Sequence, residues 1–116
     1  MKKPLILLAA VSLLALTVFA ADLSGTWNTV VTTSAGNGTP TFVLKQDGEK
    51  LTGSYTNQFG TSPLTGTIKD GDVKIEVVLG GMKATYVGKV DGGGTKIEGT
   101  CDYGGQVSGT FTATKK

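Results

Sequence analysis

The side chains capable of specific chemistry are few, and their kinds exclude more than they offer. The 116-residue chain has no histidine, no arginine, one cysteine, one tryptophan and three tyrosines. Without histidine there is no ordinary imidazole base and no His-containing zinc site. Cys101 has no second cysteine to pair with and no evident base to activate it, so a buried, inert thiol is expected rather than a nucleophile. Asp70-Gly71-Asp72 has the start of a calcium loop without the remaining ligands, and turn formation is its expected role. No catalytic residue, metal site or cofactor is expected, and the chain reads as a non-enzyme. What remains is recognition chemistry. The rings of Trp27, Tyr55, Tyr86 and Tyr103, with Thr29 and Asn57 as short polar neighbours, suit an apolar pocket with few convergent polar groups.

These residues lie beyond a segment that does not belong to the fold. MKKPLILLAAVSLLALTVFA has two lysines, an apolar run and small residues at Val18 and Ala20, the layout of a secretory signal peptide of bacterial style. Its apolar run is short for a retained membrane anchor, which needs about 20 residues. Cleavage is expected after Ala20, leaving residues 21–116 as one exported domain, periplasmic or extracellular, with no membrane attachment. Loss of Lys2 and Lys3 leaves nine lysines against nine acidic residues. Nucleic acid is not an expected partner, because that would need clustered cations.

The elements that must position the rings are read from the turns. Residues 34–38, Asp47-Gly48, Phe59-Gly60, Asp70-Gly71, Gly80-Gly81, residues 92–94 and Gly104-Gly105 recur at roughly 10 to 12 residues and separate segments rich in Thr, Val, Tyr and Phe. Eight antiparallel strands in simple meander order are expected, with no helix. Two-residue turns set the pairing. The turn at 47–48 sets Phe42 opposite Gly53 and Leu44 opposite Leu51. That at 70–71 pairs Gly66 with Ile75, and that at 80–81 pairs Ile75 with Tyr86. Cys101 and Phe111 share a face only if the last loop has three residues. In this count Gly25, Gly53, Gly66, Gly88, Gly99 and Gly109 fall inward, each two residues before a larger inward side chain. Interior glycines of that kind mark the bends of a small closed barrel, and closure removes exposed edges.

The residues also carry a family resemblance. Gly25-Thr26-Trp27 resembles the G-x-W start of the calycin superfamily, which includes lipocalins and avidins. TFVLKQDGEKLTGSYTN followed by LTGTIKDG is most similar to the avidins, as are KATYVGK and SGTFTATK. A likeness to small all-β modules at the tails of some secreted bacterial amidohydrolases is also present. The resemblance implies a calycin-like barrel but little of the biotin site. Tyr55 and Asn57 stand in the places of the avidin G-x-Y-x-S tyrosine and serine. Thr29 replaces the asparagine of G-T-W-x-N, and Gly109 replaces the aspartate before the final T-F-T.

Two functions are weighed. The first is binding of a small uncharged or weakly polar ligand at one barrel mouth, lined by Trp27, Thr29, Tyr55, Asn57, Tyr86 and Tyr103. The mouth expected to gather Tyr55, Asn57 and Tyr103 is the one at the 34–38, 59–60, 80–81 and 104–105 turns, since alternate turns of a meander share an end. The alternative is a structural or protein-interaction module with a fully packed interior, because an eight-stranded barrel lies at the limit between packed and ligand-sized. Outward Val30, Val43, Val78 and Val87 offer a surface for homo-oligomer formation.

Overall fold

The computed structural model describes residues 22–116; the expected signal segment and its cleavage point lie outside the described residues. Every element among them is a strand: β1 (Gly25–Thr33), β2 (Gly36–Gly38), β3 (Thr41–Asp47), β4 (Lys50–Asn57), β5 (Gly60–Lys69), β6 (Asp72–Leu79), β7 (Met82–Val90), β8 (Lys96–Tyr103) and β9 (Val107–Lys115). Strands β1 and β3–β9 follow one another antiparallel, and β1 pairs with β9 from Trp27↔Lys115 to Thr33↔Gly109. The sheet is thereby a closed eight-stranded up-and-down barrel. The short β2 folds back on β1 at one mouth, with Val31 opposite Gly38.

Turn chemistry sets the registers. Asp70 and Gly71 both have positive φ (52° and 83°), as a type I′ turn requires, and Gly66↔Ile75 and Ile75↔Tyr86 form as expected. The last hairpin has the three-residue loop 104–106, with Tyr103 opposite Val107 and Cys101 opposite Gly109. The β3–β4 hairpin differs from expectation. Phe42 pairs with Tyr55, Leu44 with Gly53 and Gln46 with Leu51, because the two turn residues are Gly48-Glu49 rather than Asp47-Gly48. Only Gly48 of that pair has positive φ (62°), which is the type II′ arrangement with glycine first. The β4–β5 turn is likewise Gln58-Phe59, with Asn57 opposite Gly60. Both shifts are even-numbered, so every side chain keeps its face.

The inward face fills the barrel. Phe42, Leu44, Leu64, Ile75, Tyr86, Ile97 and Phe111 are buried along strands that alternate buried and exposed positions. Tyr86 packs edge-on against Phe42, Phe111 and Tyr103, with ring centroids 5.2, 5.3 and 5.9 Å away. Such aromatic pairs add about 0.5–1.5 kcal/mol each beyond their buried area. The inward glycines let neighbouring backbones close in. At Gly66 a Cβ would collide with the Lys74 carbonyl oxygen and stand 3.2 Å from the Ile75 Cα. The four outward valines are exposed, and each stands opposite a polar residue: Val30–Thr112, Val43–Ser54, Val78–Lys83 and Val87–Lys74.

One end of the barrel is sealed by the chain before β1. Leu23 is fully buried there; its N–H donates to Gln46 Oε1 (2.8 Å) and its carbonyl accepts Trp27 Nε1–H (2.9 Å). Gln46 N–H donates in turn to Ser24 Oγ (2.9 Å), and Lys115 Nζ donates to the Asp22 carbonyl (3.0 Å).

Candidate functional site

Four connections meet at the opposite end: residues 34–40, the Gln58-Phe59 turn, Gly80-Gly81 and residues 104–106. They surround a cavity of about 490 Å³ whose lining includes Val31, Tyr55, Asn57, Leu79, Met82 and Tyr103. No charged side chain lines it. Alternation brings these groups together. Tyr55 and Asn57 are two apart on β4, and Tyr103 is the inward residue at the end of β8. Leu79 and Met82 flank the tight Gly80-Gly81 turn as a cross-strand pair.

Of the six residues expected to line the mouth, three do: Tyr55, Asn57 and Tyr103. Thr29 is one layer deeper, 2% exposed, beneath the cavity residues Val31 and Pro40; its N–H donates to the Pro40 carbonyl (3.1 Å). Its Oγ1 is the one buried side-chain oxygen or nitrogen without a partner among the described residues. Tyr86 is part of the packed floor. Trp27 lies outside the cavity at the sealed end, since β1 enters the barrel there and reaches the open mouth only at Val31 and Thr33.

Other rim residues carry no signal in strand alternation, because they sit in turns. Phe59 is 86% exposed at the rim, and Asn37 and Gln58 add amides. The turn sequence itself fixes Asn57. Its Oδ1 accepts the Phe59 N–H (2.9 Å), an Asx-type contact that orients the side chain. On β1 the Thr33 hydroxyl holds the flap in the same manner, donating to the Gly36 carbonyl (2.7 Å) and accepting from the Ala35 N–H (3.1 Å).

The floor is a hydroxyl pair. Tyr86 and Tyr103 oxygens stand 2.7 Å apart. Burial pushes the Tyr86 phenol far above its ordinary value, and its hydrogen bond to Tyr103 pushes it further. Burial raises Tyr103 too, to about 12, while the bond to Tyr86 pulls the other way. That bond raises one phenol and lowers the other, so Tyr103 gives up its proton before Tyr86 does. Nearby Cys101 is buried, and burial raises its thiol; its sulfur makes a long contact of 3.9 Å to the Thr110 carbonyl.

A second cavity of about 440 Å³ lies at the sealed end, and its character is different. Glu49, Lys69, Asp70 and Asp91 line it. Asp91 is already committed, accepting the Thr95 and Lys96 N–H groups at 2.8 and 3.2 Å, and the Thr95 bond holds its carboxyl below the ordinary range.

Fold and site together define a small closed antiparallel β-barrel with one sealed, charged end and one open, neutral mouth. Neither a family model nor a curated protein sequence matches the chain. A solved structure is similar, that of a redesigned β-barrel, mFAP0, bound to DFHBI. It shares 19% identity at a TM-score of 0.60, over 80% of this chain and 98% of that one. At that identity the likeness concerns the fold alone.

Proposed function

We propose that this chain is an exported, calycin-like barrel that binds a small uncharged or weakly polar molecule at its open mouth. The observation that carries the reading is the cavity of about 490 Å³ between Tyr55, Asn57 and Tyr103, free of charged side chains. Its size is within the range of small-molecule sites. The mFAP0 barrel, of the same fold, has DFHBI bound. Binding rather than turnover fits the lining, which carries no acid–base pair.

A packed interaction module is the second reading, favoured by one observation. The barrel below the mouth is filled, with Tyr86 packed against Phe42 and Phe111, and Phe42 against Tyr55. Native mass spectrometry of protein secreted by its own host separates the two readings. The binding reading expects a retained adduct that is lost from Tyr55→Ala and Asn57→Ala variants. Protein free of adduct, with no mouth resonance moving when neutral aromatic compounds are titrated, would favour the packed module.

A further inference from the structure

The hydroxyl pair and the Asn57 amide fix which kind of atom the mouth offers. Tyr86 is fully buried; its hydroxyl stands 2.7 Å from the Tyr103 oxygen, and Tyr55 hydrogen-bonds to it as well. Each phenol brings one proton. If both Tyr55 and Tyr103 spent their protons on Tyr86, the Tyr86 proton would be left unpaired in the core, which costs about 1–3 kcal/mol. The Cys101 sulfur beside Tyr103 is only a weak partner. Tyr86 therefore donates to one of its two neighbours, and of three protons two serve the Tyr55–Tyr86–Tyr103 contacts, which leaves one phenol proton for the cavity that Tyr55 and Tyr103 both line.

Asn57 reaches the same state by another route. A backbone N–H can only donate, so the Asn57 atom that meets Phe59 N–H is the oxygen. The amide nitrogen, with two protons, is what remains for the cavity. Strands β4 and β8 lie four places apart around the eight-stranded ring, so Asn57 and Tyr103 stand on opposite walls. Val31, Leu79 and Met82 supply apolar surface between them, and no cation is present. A carboxylate or phosphate would exchange its hydration for neutral donors alone. A neutral acceptor loses far less on burial.

Resting on the reading of the mouth as a ligand site, we infer that its ligands are neutral molecules with an apolar body and a carbonyl-type acceptor oxygen, received by the free phenol proton of the Tyr55–Tyr103 pair or by the Asn57 amide. The ligand class is thus acceptor-bearing rather than purely hydrocarbon or donor-only.

The test uses two probes of nearly one shape, benzophenone and 1,1-diphenylethene, which differ in C=O against C=CH2. Each is titrated into the protein while amide resonances of residues 34–39, Asn57 and Tyr103 are followed. The ketone is expected to bind about three- to tenfold more tightly, the worth of one net hydrogen bond. The double variant Tyr55→Phe/Tyr103→Phe, or Asn57→Asp, should abolish or reduce that preference; Asn57→Asp keeps the acceptor for Phe59 N–H, so it tests the donor if the double variant fails to fold. Tyr86→Phe should keep the preference, since Tyr103 retains its proton. Equal binding of the two probes at the mouth would overturn the acceptor assignment and leave the mouth as a site. A preference untouched by both donor variants would overturn it equally. If neither probe moves a mouth resonance, the ligand-site reading and the acceptor assignment fall together.

Discussion

The tightest demand of the barrel is made at glycines that touch nothing functional, and Gly66→Ala measures it. Gly66 has an ordinary backbone conformation, so no left-handed strain enters the comparison. Local propensity alone favours the change, since glycine within a strand costs about 0.5–1 kcal/mol relative to alanine. The structure demands the opposite sign. The new methyl would occupy the space of the Lys74 carbonyl oxygen and press on the Ile75 Cα at 3.2 Å. Both partners are backbone, so the relief has to come from parting β5 and β6. Overpacking of this kind costs about 1–3 kcal/mol, and weakening the two flanking ladder bonds adds roughly 0.5–1.5 kcal/mol each. Set against the propensity gain, the net loss is about 1–5 kcal/mol, read as a urea midpoint lower by roughly 0.5–2.5 M at a slope of about 2 kcal/mol/M. The control is Gly92→Ala, where a Cβ meets nothing within 4 Å. That variant should be neutral or more stable by about 0.4–1 kcal/mol. If Gly66→Ala unfolds no earlier than Gly92→Ala, the inward glycines are not the close-contact bends of this barrel and the packing argument fails.

Three further outcomes follow from the tyrosine cluster and Cys101. Tyr103→Phe takes the 2.7 Å partner from the buried Tyr86 hydroxyl and should cost about 1–3 kcal/mol, whereas Tyr86→Phe removes that buried group and should cost only about 0.5–1.5 kcal/mol; equal losses in urea unfolding would show that the Tyr86 hydroxyl does not depend on this bond. Both phenols titrate higher in the folded protein than the ordinary 10.0, so the unfolded chain gives up protons first and stability should be full below pH 10. It should then fall from pH 10 to about 12 and beyond, seen as a sinking urea midpoint that is flatter in Tyr86→Phe; a level profile to pH 12 would refute this. Cys101 should resist a thiol-specific chromogenic reagent in the native state and react promptly in urea, and fast native labelling would show that its burial is not maintained.

Much of this architecture was legible because turn residues and alternation speak to the same question. Asp70-Gly71 and Gly80-Gly81 can each be satisfied by one register only, and there the pairing followed. Gly48 is ambiguous. It serves equally as the second residue of a type I′ turn with Asp47 or as the first of a type II′ turn with Glu49. Those two choices differ by two positions in pairing, and a pattern of period two cannot see an even shift. Phe59-Gly60 failed in the same manner. The site was harder, since facing inward says nothing of depth. Trp27 and Tyr55 share the inward face but belong to opposite ends, and only strand direction separates them. Leu23 escaped notice because it precedes any strand, and Phe59 because an exposed turn has no alternation to read.

Charge placement is the feature that ties the fold to a role. The connections at the sealed end include Glu49, Asp70 and Asp91, with Asp22 and Lys115 beside them, and Lys89 reaches Asp72 there. The connections at the open end, residues 34–40, 58–59, 80–81 and 104–106, hold no charged residue at all. Strand propensity does not produce that asymmetry, because turns at both ends draw on glycine and polar residues for the same conformational reasons. Solubility does not produce it either, since charges interspersed over the whole surface serve that purpose better. A neutral end costs the barrel some solvation and leaves Phe59 exposed. In return, Tyr103 and Asn57 face a cavity lined by no charged side chain, and the Asp102 carboxylate at the 104–106 connection is taken up by the Gly105 N–H (2.9 Å). An introduced charge therefore separates the two readings of the mouth. Met82→Lys should leave a packed module's function intact but weaken binding of a neutral ligand, and the host-retained adduct is the quantity to measure.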